Sequence, residues 1–158
     1  MKQDQEGVQI LNFDHKIALM SPTNSIYKDT YQDGVKRWYC VVHTFCLHRE
    51  DGPAVEGIKE YQAWYNHNER HRIDGPAIID FDGGTEYWVN GLRHRADGPA
   101  IDSPSIGQWW FVDDRLHRED GPAVIHPGGT IEWWYRGKII QAFTLKEFQS
   151  YIRNKAFW

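Results

Sequence analysis

Histidine, arginine and aspartate occur together four times in this chain, and the histidine and the aspartate are residue types that carry acid–base and metal chemistry. Residues 47–54 and 116–123 both read LHREDGPA, and two variants lie between them, RHRIDGPA at 70–77 and RHRADGPA at 93–100. A histidine beside a carboxylate is a common pair in general acid–base catalysis, and both groups ligate transition metals. The octapeptide is therefore either a catalytic or metal-binding site or a structural element of the fold.

The spacing favours architecture. The histidines His48, His71, His94 and His117 are each 23 residues apart, and a fixed period of this length is typical of stacked repeats. If each repeat adds two strands about 4.8 Å apart, equivalent histidines lie roughly 10 Å apart. Ligands of one Zn²⁺ lie about 2 Å from the ion, so neighbouring copies cannot share a metal. We predict no metal site, and we interpret the octapeptide as scaffold because every repeat carries it.

The residues around the octapeptide predict short strands joined by tight turns. Asp-Gly is a turn signal, and the proline after it suits the start of a strand. An apolar pair, a second turn such as Gly83-Gly84 and an aromatic strand such as residues 85–89 follow, and Asn90-Gly91 leads to the next copy. Each repeat is predicted to supply two antiparallel strands. The fold class predicted is mainly β, an elongated antiparallel sheet of stacked β-hairpin repeats, with irregular second turns in copies one and three.

We predict a single domain over residues 1–158, a common size for one core. It comprises an N-terminal segment at 1–30, a repeat array at 31–139 whose regular copies begin at residue 47, and a helical cap at 144–158. Thr144 and Glu147 fit a capping box, and apolar residues at helical spacing then indicate a helix over 145–155. Such a helix would cover the open end of the sheet, because an uncovered edge strand pairs readily with other chains.

The octapeptide, followed by an apolar pair, a glycine turn, a Trp-Tyr type of strand and Asn-Gly, resembles the variant MORN repeat of bacterial and phage proteins. The resemblance covers residues 47–139 and extends more weakly over 31–46. It implies a β-hairpin array. It also implies interaction rather than catalysis, because MORN repeats in general are regarded as interaction modules, and some members of the variant family are described as antitoxin-like or immunity-like.

The charge and composition of the chain exclude some classes of binding partner. The formal net charge is -4 without a long run of either sign, so nucleic acid is an unlikely ligand. No apolar stretch approaches the ~20 residues that span a bilayer, and the N-terminus is polar, so we expect no membrane partner and a location in the cytoplasm of a bacterial or phage-infected cell. Cys40 and Cys46 are expected to be free thiols, since no CxxC spacing occurs. No cofactor is predicted.

Eight Trp, eight Tyr and seven Phe make aromatic contact the expected mode of binding. Aromatic residues stand 16 and 17 positions after every repeat histidine, and neighbours on a strand point to opposite faces, so each face should carry an aromatic ladder. Irregular copy three adds a local excess of aromatic and acidic residues. The candidate protein-binding residues are Trp88, Trp109, Trp110, Phe111, Asp113, Asp114, Trp133 and Trp134.

Two functions follow as hypotheses. The first is a non-enzymatic protein-binding module, an antitoxin-like or anti-defence inhibitor that blocks a bacterial enzyme or defence protein by surface contact. In the alternative arrangement, one ladder packs in a homodimer. The second is a small-ligand sponge, in which aromatic rings stack a nucleotide and Arg72, Arg95 or Arg118 holds its phosphate. An enzyme ranks third, because spacing fixes no nucleophile–histidine pair.

Overall fold

The computed structural model describes residues 9–13, 16–20, 26–30, 33–40 and 46–155, with side chains at 33–40 and 46–154. The chain divides into two compact units, Met1–Phe81 and Asp82–Trp158. The single domain over 1–158 stays a prediction. Half of the predicted N-terminal segment, residues 1–30, lies outside the described residues, and the other half is described by the backbone of its strands.

Short strands dominate both units. In chain order they are β1 (Gln9–Phe13), β2 (Lys16–Met20), β3 (Ile26–Thr30), β4 (Lys36–Cys40), β5 (Val55–Glu56), β6 (Gln62–Ala63), β7 (Tyr65–Asn66), β8 (Glu69–Arg70), β9 (Ile78–Ile79), β10 (Thr85–Glu86), β11 (Trp88–Val89), β12 (Leu92–Arg93), β13 (Ile101–Ser103), β14 (Gly107–Trp109), β15 (Phe111–Val112), β16 (Arg115–Leu116), β17 (Val124–Ile125), β18 (Ile131–Tyr135) and β19 (Lys138–Ile140). One helix among the described residues, α1 (Leu145–Lys155), follows them. The mainly β fold with a C-terminal helix is confirmed.

Antiparallel ladders join the strands of each unit. In the first unit the order is β3-β4-β5-β6-β9, with β1-β2 as a separate hairpin. In the second it is β10-β13-β14-β17-β18-β19. The irregular second turns of copies one and three still close hairpins, β5-β6 and β13-β14. The antiparallel pairing expected from the turn signals is therefore confirmed.

The prediction of one continuous aromatic strand at residues 85–89 is wrong. The strand is broken at Tyr87 into β10 and β11, and β11 pairs with β12 in a second, smaller hairpin. The break arises because the Tyr87 N–H donates to the Ala100 carbonyl (2.7 Å), while the Tyr87 carbonyl accepts the His94 N–H (3.1 Å). Similar small hairpins, β7-β8 and β15-β16, occur in copies one and three. In copy four the strand continues unbroken as β18.

The small hairpins turn through two residues with positive φ. The pairs are His67 (49°) with Asn68 (69°), Asn90 (50°) with Gly91 (75°), Asp113 (49°) with Asp114 (62°), and Arg136 (51°) with Gly137 (76°). Positive φ at both central positions defines the type I′ turn, whose twist matches that of paired strands. Asn, Asp and Gly tolerate this region best, so the Asn-Gly signal in the sequence is explained.

The core consists of small separate clusters. In the first unit Val55, Ala63 and Ile78 are buried together. In the second, one cluster contains Ala100, Ile101 and Phe111, and another joins the last strands to the helix through Trp133, Ile140 and Phe148. Short strands bury little apolar surface each, so side-chain contacts between repeats must supply much of the remaining cohesion.

Helix α1 begins as the capping box predicts. The Glu147 N–H donates to the Thr144 hydroxyl (3.3 Å), and the Thr144 N–H donates to the Glu147 carboxylate (3.2 Å). The Phe143 N–H also donates to the Glu147 carboxylate (2.9 Å), and this bond is the largest cause that lowers the pKa of Glu147. Phe148 is fully buried, with its ring centroid 5.0 Å from that of Trp133. Among the described residues, no helix has the length and apolar character to cross a membrane.

Candidate functional site

The arginine of each octapeptide lies over an aromatic ring and binds two more groups. The Cζ atom of Arg118 lies 4.1 Å from the centroid of the Trp110 ring. Its Nε donates to Asp120 (2.7 Å), and its Nη1 donates to the Pro122 carbonyl (3.2 Å). The equivalent sets are Arg49 with Trp38, Asp51 and Pro53; Arg72 with Trp64, Asp74 and Pro76; and Arg95 with Tyr87, Asp97 and Pro99. A planar guanidinium suits this combination of stacking and directed bonds better than an ammonium group does.

The glycine and the alanine of the octapeptide lie where the arginine and the neighbouring strand pack closely. A Cβ atom on Gly121 would lie 2.7 Å from Cζ of Arg118, and the other three octapeptide glycines give 2.9 to 3.1 Å. Ala123 is fully buried, and its carbonyl accepts the N–H of Trp110 (2.8 Å). A larger residue at the glycine would displace the arginine from its place over the ring, and full burial favours a small residue at the alanine.

Two of the octapeptide histidines contact the turn near the end of their own repeat. The Arg136 N–H donates to Nδ1 of His117 (3.2 Å), and Nδ1 of His94 lies 2.9 Å from Oδ1 of Asp113. The His117 N–H in turn donates to the Trp110 carbonyl (3.0 Å). Within the described residues, no group of three or more His, Cys, Asp or Glu side chains is arranged to hold a metal ion. The contacts support the interpretation of the octapeptide as scaffold.

The octapeptide carboxylates are held in their charged form. The hydrogen bond from the neighbouring arginine is the largest cause that lowers the pKa of Asp51, Asp74, Asp97 and Asp120, and the arginine charge acts in the same direction. These carboxylates are mostly exposed, about 80% for each side chain, so solvent screens the pairs and each one contributes modestly.

Acid should therefore weaken the array. A carboxyl whose pKa is lower in the folded chain stabilises it above the unfolded value, about 3.9, and this contribution disappears as the pH falls through the lower folded value. We expect urea midpoints to fall below about pH 4. Asp120→Asn should cost up to about 1 kcal/mol at pH 7 and should reduce the further loss between pH 5 and pH 3. An unchanged acid response in Asp120→Asn would contradict this role of the pair.

The structure places the predicted binding residues in different environments. Phe111 and Trp133 are core residues, 3% and 6% exposed, so they present little surface to a partner. Trp110 is half-buried beneath Arg118. Trp109 is half-buried, donates from Nε1 to the Ile106 carbonyl (2.9 Å), and its ring lies parallel to Phe111 at 6.5 Å.

The remaining predicted residues also have structural contacts. Trp88 and Trp134 donate from Nε1 to Glu86 and Glu132, both at 2.7 Å. Asp113 and Asp114 form the turn between β15 and β16; Asp113 accepts a bond from His94 (2.9 Å), and Asp114 pairs with Arg93. The structure does not bring the eight residues into one continuous patch of exposed side chains. Their role in binding stays a prediction.

Sequence reasoning missed an apolar groove at the C-terminal end of the second unit. We call it the terminal groove; its volume is about 250 Å³. Its lining residues are Ile131, Glu132, Trp133, Ile139, Ile140, Gln141, Ala142 and Phe143. Ile131, Ile139 and Phe143 are 43%, 52% and 89% exposed. These three residues do not stand 16 or 17 positions after a repeat histidine, so the count of aromatic positions did not select them. In the sequence, only the absence of a fifth octapeptide after residue 138 indicated an exposed end of the array.

A second groove, of about 780 Å³, lies in the first unit between two successive octapeptides. We call it the octapeptide groove. Its walls include His48, Trp64, His71 and Arg72, together with the acidic residues Glu50, Asp51 and Asp74. A groove of this size is large enough for a small ligand.

Comparison with known proteins gives no match: no family model fits the chain, and neither a curated protein nor a solved structure is similar to it at a significant level. The resemblance to the variant MORN repeat therefore stays a prediction.

Proposed function

We propose that this chain is a non-enzymatic protein-binding module, an inhibitor that blocks a bacterial enzyme or defence protein by surface contact in the cytoplasm of a bacterial or phage-infected cell. The observation that carries the proposal is that the arginine and histidine side chains of the octapeptide make contacts within the array itself. Each arginine is bound to a ring, a carboxylate and a carbonyl, and two of the histidines hold turns. Four equivalent sets of this kind are typical of a scaffold.

Exposed apolar side chains supply the binding surface in this proposal. Ten large apolar residues of the described chain are exposed, and five of them lie between residues 131 and 151. Single exposed apolar residues are ordinary, whereas a cluster beside a groove is typical of an interaction site. The terminal groove would take an apolar or aromatic anchor of the partner, with Phe143 as the most accessible contact.

The octapeptide groove favours a second candidate, binding of a small ligand such as a nucleotide. Its size and its aromatic wall fit a base, but two features oppose a nucleotide phosphate. Arg72 already covers Trp64 with Cζ 4.0 Å from the ring centroid. The carboxylates of Glu50, Asp51 and Asp74 in the wall would repel an anion.

Affinity capture from bacterial lysate tests the proposal. We expect the tagged chain to retain a stoichiometric protein, and Phe143→Ser to reduce its affinity by about 30-fold, the effect of a typical anchor residue. Ile58→Ser is the matched control, because Ile58 is also an exposed apolar residue, 63% exposed, but lies in the first unit.

Other outcomes of the same capture discriminate the alternatives. Equal capture by Phe143→Ser would contradict the terminal groove, and loss in Trp109→Ala would favour the patch predicted from the sequence. A nucleotide released by heat, detected by absorbance and mass spectrometry and lost in Trp64→Ala, would support the second candidate. Recovery of neither a protein nor a nucleotide would contradict both functions.

A further inference from the structure

The two cysteines of the chain face each other across an antiparallel pair of segments. Strand β4 ends at Cys40, and Tyr39 forms a bridge with Leu47. The Cys40 N–H donates to the Cys46 carbonyl (2.8 Å), so these two residues are directly opposite. Opposite residues in a hydrogen-bonded antiparallel pair have Cα atoms about 5.5 Å apart. That distance is at the centre of the range that a disulfide bond requires.

The thiols are close to each other and shielded from water. Neither cysteine is in a disulfide bond, and both are 6% exposed. Burial raises the pKa of the Cys46 thiol to about 11, and hydrogen bonding with the Cys40 thiol contributes in the same direction. The backbone pairing places the two cysteines opposite each other, while their burial and the raised pKa of Cys46 slow attack on peroxide at neutral pH.

The pair brackets an irregular link in the repeat array. Trp38 occupies the position under Arg49 that Trp64 occupies under Arg72. His48 is ten positions after Trp38, whereas His71 is seven positions after Trp64. The extra three residues fall between Cys40 and Cys46. A bond between these cysteines would close the inserted link at its base.

We propose that Cys40 and Cys46 form a redox modification site, at which peroxide converts the thiol pair into a reversible intramolecular disulfide. One thiolate attacks hydrogen peroxide; an S–O bond forms, the O–O bond breaks, and hydroxide leaves with a proton as water. The second sulfur attacks the resulting sulfenic acid; the S–S bond forms and the S–O bond breaks, which releases a second water. Two thiols and one peroxide thus give one disulfide and two waters. This inference is independent of the proposed partner.

Tryptic mapping of the full chain tests the inference. Cleavage after Arg37 and Arg49 puts both cysteines on the peptide WYCVVHTFCLHR. After treatment with hydrogen peroxide we expect this peptide to be lighter by two hydrogen atoms and to resist alkylation, and dithiothreitol should restore both thiols. The reaction should accelerate as the pH rises, since the Cys46 thiol is protonated at neutral pH.

Equilibration with glutathione buffers distinguishes a thiol pair that the fold holds in position from two thiols that are only near each other in the sequence. We expect the folded chain to favour the disulfide by about tenfold or more over the same chain in urea, because the fold holds the sulfurs together. Cys46→Ala is the control and should give only a glutathione adduct at Cys40. An equal or weaker preference in the folded chain, or two alkylatable thiols after peroxide, would overturn the proposal.

Discussion

Replacing Gly107 with alanine should unfold the centre of the second unit's sheet. Gly107 has a φ of +92°, and a Cβ atom there would lie 2.1 Å from the carbonyl oxygen of Ile125 and 3.0 Å from Cα of His126. Those atoms are backbone, so no rotamer change relieves the clash. Because β17 lies between β14 and β18, moving it would weaken both ladders. We expect Gly107→Ala to lose more than about 4 kcal/mol of unfolding free energy.

Gly129 supplies the matched control for that prediction. Its φ is +82°, in the same unit, but a Cβ atom there has no neighbour within 4 Å. Gly129→Ala should lose about 1–2 kcal/mol, the cost of a side chain in the left-handed region alone. Urea denaturation followed by circular dichroism measures both variants. Equal losses would show that backbone strain, rather than the contact with β17, determines the role of Gly107.

The features that sequence reasoning recovered depend on local chemistry. The capping box and the helical spacing of apolar residues predict a helix over 145–155, and α1 spans those residues because both signals act within a few turns. Turn signals likewise predict the antiparallel hairpins. The break at Tyr87 was missed because it depends on hydrogen bonds to His94 and Ala100, whose positions are known only once successive repeats are placed.

The contacts of the octapeptide could not be predicted from its sequence. Repetition at a fixed period predicts that the octapeptide is scaffold, yet nothing in the sequence shows that Arg118 lies over Trp110. Aromatic counting selected Phe111 and Trp133 as contacts, although both are in the core. Residue type alone cannot distinguish an aromatic anchor from a core ring, since burial is decided by neighbours distant in sequence. The exposure of Phe143 depends similarly on how the helix meets the last strands.

Removal of the Phe148 ring should detach the helix from the sheet. Each earlier ring in the series lies beneath an arginine, whereas Gln141 stands where the next arginine would fall. Phe148 instead covers Trp133, and it is fully buried beside Ile140. A large buried ring replaced by alanine loses about 3–5 kcal/mol, so Phe148→Ala should be among the most damaging substitutions in this unit.

Phe143→Ala tests whether the loss of unfolding free energy in Phe148→Ala is caused by the burial of the ring, because Phe143 is the same residue type at 89% exposure. It should change the unfolding free energy by no more than about 0.5 kcal/mol. In Phe148→Ala we expect the helix amides to exchange hydrogen faster than the amides of β17 and β18. The detached helix would uncover Trp133 and the edge strand β19, so the variant should also self-associate with rising concentration on size-exclusion chromatography. A stable monomer with protected helix amides would show that α1 does not depend on Phe148 for its place on the sheet.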